Sequence, residues 1–171
     1  MFLKGIKRKL AQKYINKHCV ANREIDQQKI KTLGVLIDAR VFKEFPFTNE
    51  LATLFDVPKS AITLLYYQPN KQLAKEVEES VFTDNALAFN GQVKGDAVLS
   101  FINKEFDALL NFHDENQLLL NLVSVHSKAK FKIGFSVNNA VLNDFTVAAK
   151  LTDIEIVIIE LKKYLSILNK I

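Results

Sequence analysis

Apolar positions recur along this chain in two rhythms. Thr32–Asp38 (TLGVLID) and Ala61–Tyr67 (AITLLYY) are almost unbroken apolar runs, as expected of strands buried on both faces. Phe106–Phe112 (FDALLNF) and Lys130–Phe135 (KFKIGF) have the same character. Between those two, Leu118–Val125 carries helical spacing, entered through the polar cluster His113-Asp114-Glu115-Asn116. Strand, polar turn, helix and strand within about 30 residues make one βαβ unit with parallel strands.

The remaining segments fit round that unit. Phe47–Phe55 reads as a helix capped by Thr48 and stopped at Val57-Pro58. Lys71–Ser80 is helix-compatible with a thin apolar stripe, and Ala86–Phe89 reads as a short third strand. Gly91 and Gly95 frame a loop, after which Asp96 opens a helix bearing Val98, Leu99 and Ile102. Residues 137–143 are a polar connection, and 144–149 (DFTVAA) read as a sixth strand. Thr152-Asp153-Ile154-Glu155 has the capping-box pattern, opening a final helix through Leu161 to Leu168. Strands alternating with helices predict an α/β fold: a doubly wound, mainly parallel sheet of Rossmann-like or flavodoxin-like type. The expected strand order is 3-2-1-4-5-6, reversing between Thr32–Asp38 and Phe106–Phe112.

Residues 2–20 stand apart as an amphipathic helix with Phe2/Leu3, Ile6, Leu10, Tyr14 and Ile15 on one stripe and lysines elsewhere. The overall charge of +4 hides an asymmetry. Residues 1–31 hold nine Lys/Arg against two acids, a net of +7; the remainder holds 14 against 17, a net of −3. The division expected is therefore a basic helical arm and link at 1–31 and a single α/β domain at 32–171. Three roles are open to Lys4, Lys7, Arg8, Lys9, Lys13 and Lys17: solvation of a helix docked on the domain, contact with an anionic membrane surface, or contact with RNA. Few aromatics accompany them, so no base-stacking platform is indicated.

Cysteine usage and hydropathy narrow the setting. A lone Cys19 allows no internal disulfide and no cysteine metal cluster, which suits a reducing cytoplasm. Charges interrupt every apolar run before it reaches a membrane-spanning length or a secretory leader. The expected location is cytoplasmic, with the arm within reach of the inner membrane surface.

In a doubly wound sheet, ligands sit beyond the strand carboxyl ends where the order reverses. Asp38, Arg40, His113, Asp114 and Glu115 are delivered there, with Ser136 and Asn138 nearby. A histidine beside two carboxylates can act as a base or ligate a metal. The same residues also serve as helix-start and loop residues, with Asp114 and Gln117 spaced as a cap. The first strand–helix turn, 38–46, has no glycine, so no phosphate-binding GxGxxG or P-loop can be placed in it. Gly91-Gln92-Val93-Lys94-Gly95 is glycine-framed but isolated. No nucleophile elbow, metal-ligand spacing or cofactor motif is present, and no catalytic or metal residue and no cofactor is assigned.

FDALLNF, the helix after it and AKFKIGF resemble the middle of the N-terminal domain of heptosyltransferase-type (GT-B) glycosyltransferases. That resemblance implies a Rossmann-like sheet. It departs from the family at Asp38-Ala39-Arg40, where the family has a glycine-aspartate turn, and it lacks the family's nucleotide-sugar domain. With its basic N-terminal helix, LGVLID strand and AKFKIGF strand, the whole chain resembles a small uncharacterised protein family of Bacteroidota. That likeness implies a fold and a compartment but no activity. Two functional readings are carried forward. The first, and preferred, is a non-enzymatic binding or scaffold protein whose arm docks on the body, on an anionic partner or on a protein. The second is a ligand-binding or catalytic remnant of the glycosyltransferase half-domain, with its site at the strand carboxyl ends.

Overall fold

The computed structural model describes residues 2–18, 28–113, 116–135 and 142–171. Six parallel strands form one sheet: β1 (Leu33–Asp38), β2 (Ile62–Tyr67), β3 (Val81–Phe82), β4 (Ala108–Phe112), β5 (Phe131–Gly134) and β6 (Phe145–Thr146). Their order is β3-β2-β1-β4-β5-β6, the order expected from the alternation of elements, so the sheet is doubly wound and reverses between β1 and β4. The helices are α1 (Phe2–Lys17), α2 (Thr48–Phe55), α3 (Lys71–Ala74), α4 (Asp96–Asn103), α5 (Leu118–His126) and α6 (Ile154–Ile167).

Side chains leave each strand alternately to two cores. Val35, Ile37, Leu110, Phe112 and Ile133 pack with Leu51 of α2 and with Val157, Leu161 and Leu165 of α6. Leu36, Leu65 and Leu109 pack on the opposite face with Val98 and Phe101 of α4, Leu120 and Val123 of α5, and Ala11 and Ile15 of α1. Gly34 is needed on that second face, because a Cβ there would lie 2.8 Å from the Phe106 ring. Gly134 is needed for a similar reason: its missing side chain leaves the place taken by the Asn143 carboxamide.

α1 belongs to this packing, since Ala11 and Ile15 are buried and Tyr14 stacks on His126 of α5 with ring centroids 4.6 Å apart. The seam is rotated from the expected stripe. Ile6, Leu10 and Tyr14 are half-buried, and Leu3 is 65% exposed. Small Ala11 lets the helix approach closely, which a stripe of large residues does not reveal.

Four local expectations are corrected. The third strand is Val81–Phe82, not Ala86–Phe89: Tyr66 N–H donates to Ser80 O and Gln68 N–H to Phe82 O, and a 3-10 turn at Asp84–Ala86 follows. Leu87 instead forms an antiparallel bridge with Val93 and joins the core under α1. The helix expected over 71–80 is the single turn Lys71–Ala74, capped by Asn70, whose side chain accepts from Gln72 N and Leu73 N. Thr48 is the first residue of α2 rather than its cap, and the entry is held by fully buried Phe47. Asp153, not Thr152, precedes α6, and no side-chain cap bond forms there.

Leu110 is fully buried in β4, the first strand of the βαβ unit. Replacing it with alanine should lower stability by about 2–5 kcal/mol in urea denaturation. Gly134→Ala should cost about 1–3 kcal/mol by forcing Asn143 aside. Unchanged denaturation midpoints would contradict this packing.

Candidate functional site

The reversal between β1 and β4 delivers three of the expected residues, Asp38, Arg40 and His113. Asp38 and His113 each follow the paired Ile37 and Phe112 by one residue, and both are buried. The Asp38 carboxylate is taken up by its neighbour two residues on. Arg40 Nε donates to Oδ1 at 2.9 Å, Nη2 to Oδ2 at 2.6 Å, and the Arg40 backbone N–H to Oδ1 at 3.0 Å. This forked pair satisfies both oxygens of a carboxylate that would otherwise be costly to bury. The hydrogen bond to Asp38 raises the Arg40 pKa further, so the guanidinium stays charged.

His113 lies in an amide-rich patch with Asn111, Asn121 and Asn143. Asn111 Nδ2 donates to Asn143 Oδ1 at 2.7 Å, while Asn111 Oδ1 has no hydrogen bond and faces a void of about 10 Å³. That volume is room for one water and no more. Deeper on the same face, buried Lys132 spans to α5, where its Nζ donates to Ser124 O at 2.5 Å. Asp114, Glu115, Ser136, Asn138 and Cys19 lie outside the described residues. Gln117 precedes α5 without a side-chain cap bond. No group of three or more metal-ligating side chains is found among the described residues. His18 and His126, distant in sequence, flank Tyr14 as stacked rings at 4.0 and 4.6 Å rather than as ligands.

The open, charged feature sits one step toward the β3 edge, under the first turns of α1. Helical periodicity divides the cations of α1 into two sets. Lys4, Lys7 and Arg8 face a cavity of about 260 Å³ that also meets Asp84, Lys94 and Leu119. Lys9, Lys13 and Lys17 form an exposed row at intervals of four on the outside. Asp84 ties the parts together: Lys4 Nζ lies 3.2 Å from Oδ2, and Tyr67 Oη donates to Oδ1 at 2.7 Å. Arg40 stands over the Tyr67 ring at 5.5 Å, joining this cluster to the Asp38 pair.

Burial alone would raise the Asp84 pKa, but the hydrogen bonds from Tyr67 and Lys4 and the charges of Lys4 and Arg8 outweigh it and hold it below the usual range. Burial, then the bond to Asp84, pushes the Tyr67 hydroxyl pKa up, so it remains a donor. Sequence reading missed Tyr67 and Asp84, because a tyrosine ending an apolar strand and an acid in a turn carry no distinguishing pattern. Lys94 had a signal in its glycine frame, but not one that showed where it points.

A lowered folded-state pKa means that Asp84 stabilises the fold above its unfolded value of about 3.9 and loses that contribution as pH falls through the folded value. Asp84→Asn should therefore lower the urea midpoint at neutral pH and converge with wild type in acid. A constant offset at all pH values would show that the carboxylate charge is not involved. Arg40→Gln should cost about 1–3 kcal/mol, since it strips the fork from buried Asp38.

No curated protein and no solved structure matches the chain. The glycosyltransferase likeness of FDALLNF and AKFKIGF therefore gains no support, and nothing in the comparisons points to a lineage. A family model matches residues 7–168, taking in most of α1 and every strand. The chain belongs to that family, DUF6913, a family of unknown function.

Proposed function

We propose that this is a non-enzymatic binding protein that meets an anionic membrane surface through α1. The observation that carries the reading is that α1 docks by one face and leaves a row of lysines on the other, while the described residues at the sheet's reversal point already engage one another. Among the described residues there, the Asp38 carboxylate is taken up by Arg40 and the void beside His113 holds about 10 Å³. The charge available to a partner lies on the helix instead. Its inner face is anchored by Ala11 and Ile15, leaving Lys9, Lys13 and Lys17 outward. On the cavity side of the same helix, Leu3 at 65% and Phe89 at 50% exposure offer apolar groups to a head-group layer, with Lys7 Nζ 5.8 Å above the Phe89 ring. Lone apolar residues among cations suit a lipid interface better than RNA, which rewards several stacking aromatics.

No described helix is long and apolar enough to cross a membrane, so the contact proposed is peripheral. The anionic cytoplasmic leaflet, at the inner membrane in a bacterial cell, is the natural setting for such a helix. The test replaces Lys9, Lys13 and Lys17 with glutamine, which keeps the buried seam. At about 1 kcal/mol per cation near an anionic surface, vesicle affinity should fall about a hundredfold. Wild-type binding should also weaken as salt rises. Association with RNA and not with vesicles would change the partner class. Binding to neither would leave α1 a docked structural helix.

A further inference from the structure

We infer that the cavity between α1 and the 84–94 segment is a binding site for a phosphate monoester group. The inference deepens the reading of α1 as an anion-facing element and rests on it, since three of the cations lining the cavity come from that helix. Four cationic side chains line the cavity, Lys4, Lys7 and Arg8 from α1 and Lys94 from the loop before α4, against the single carboxylate of Asp84. Like charges are brought together here by tertiary structure rather than spread for solubility. Two elements far apart in sequence bring these solvent-accessible cations round one concave space, where their fields add. Asp84 offsets one charge and orients it, holding Lys4 at 3.2 Å while itself held by Tyr67.

Lys94 is exposed, but the loop that carries it is fixed in place by its backbone. Lys94 N–H donates to Ala86 O at 2.9 Å, Ala88 N–H to Gln92 O at 2.9 Å, and Leu87 bridges Val93. Gly91 has φ of +73°, and a Cβ on it would strike Tyr14 of α1; its carbonyl accepts from His126 Nε2 at 2.7 Å. Gly95 has φ of +101° immediately after Lys94. The two glycines of GQVKG therefore let the loop seat beneath α1, and this seating presents Lys94 to the cavity. Leu119, in the first turn of α5, forms part of the wall, so the positive end of that helix dipole adds to the field.

Size and charge select the ligand class. About 260 Å³ is below the usual range for a drug-sized or dinucleotide ligand and suits a phosphate head with a short attachment. A monoester carries a charge of about −1.5 to −2 at neutral pH and three acceptor oxygens, a better match to four cations and one acid than a singly charged diester. The same group occurs on free phosphorylated metabolites and on phosphatidic-acid head groups.

The experiment titrates the full chain with inorganic phosphate by NMR at constant ionic strength. In parallel it measures cosedimentation with phosphatidylcholine vesicles doped with phosphatidic acid or, at equal charge, with phosphatidylglycerol. Lys94→Gln, at an exposed position whose backbone makes the loop bonds, should keep the fold and weaken phosphate or phosphatidic-acid binding about tenfold, the loss of one charge-assisted hydrogen bond. Lys162→Gln removes the same charge from the exposed side of α6, which packs on the opposite face of the sheet from α1, and should change phosphate binding less than about twofold. Phosphate binding that depends on Lys94 indicates a free ligand. A Lys94-dependent preference for phosphatidic acid over phosphatidylglycerol, without binding of free phosphate, indicates the lipid source. Equal losses in the two variants, or no binding of either probe, overturn the site. Vesicle binding lost only on removing the outer lysines would leave the surface reading standing without the pocket. Lys94-dependent phosphate binding with no vesicle association would do the reverse.

Discussion

The complete burial of β1 is the constraint on which the other features depend. It is paired on both edges, by β2 and β4, and covered on both faces, so each position from Leu33 to Ala39 is buried. A strand so placed takes apolar side chains up to its last residue, Asp38, and glycine where a neighbour presses in, as Phe106 does at Gly34. It also sets the terms at its carboxyl end. Asp38 comes out of the last pair while still buried, and a carboxylate there must find strong donors at once. Arg40 is near enough in sequence to supply them without recruiting another element. The demand of the central strand thus commits Asp38 to Arg40 in the region where a doubly wound sheet usually binds ligands.

A similar demand is met on the neighbouring strands. The face toward α5 carries Asn111, His113, Lys132 and Asn143 at positions where apolar residues would pack more simply. Buried polar groups of this kind stabilise only when their partners are met. Asn111 and Asn143 bond each other, Lys132 reaches a helix carbonyl, and Gly134 gives up a side chain so that Asn143 can fit. Such an arrangement fixes register between β4, β5 and the segment before β6. It leaves little freedom to reshape the site around a substrate.

Much of the fold was legible because burial on both faces writes a strong signal. β1, β2, β4 and β5 were found within one or two residues, and the alternation with helices was enough to order the sheet. Short elements at the edges were harder to read. Val81–Phe82 is a two-residue strand behind an acidic run, and its pairing rests on backbone bonds to β2 that no local pattern encodes. The candidate site was read less well for a related reason. Asp38, Arg40 and His113 were placed correctly by topology, yet their role follows from contact geometry: whether a carboxylate is available depends on whether an arginine has already taken it. Residue types alone do not decide that.

The basic helix shows most plainly what sequence and tertiary structure each contribute. Charge counting puts the cations in the first 31 residues, and periodicity makes a helix of them, but neither shows which side is covered. The seam through Ala11 and Ile15 does, and once it is known the lysines separate into two populations with different surroundings. One set faces solvent in a row and interacts mainly through its long-range field. The other lines a concave space, where Lys4 is held by Asp84, which ties α1 to the turn after β3 and, through Tyr67, to β2. Salt screens exposed charges more than those in a recess, where low-dielectric walls focus the field. Two sets of lysines on one helix can therefore differ in partner while contributing equally to its net charge, and the docking of α1 is what makes them differ.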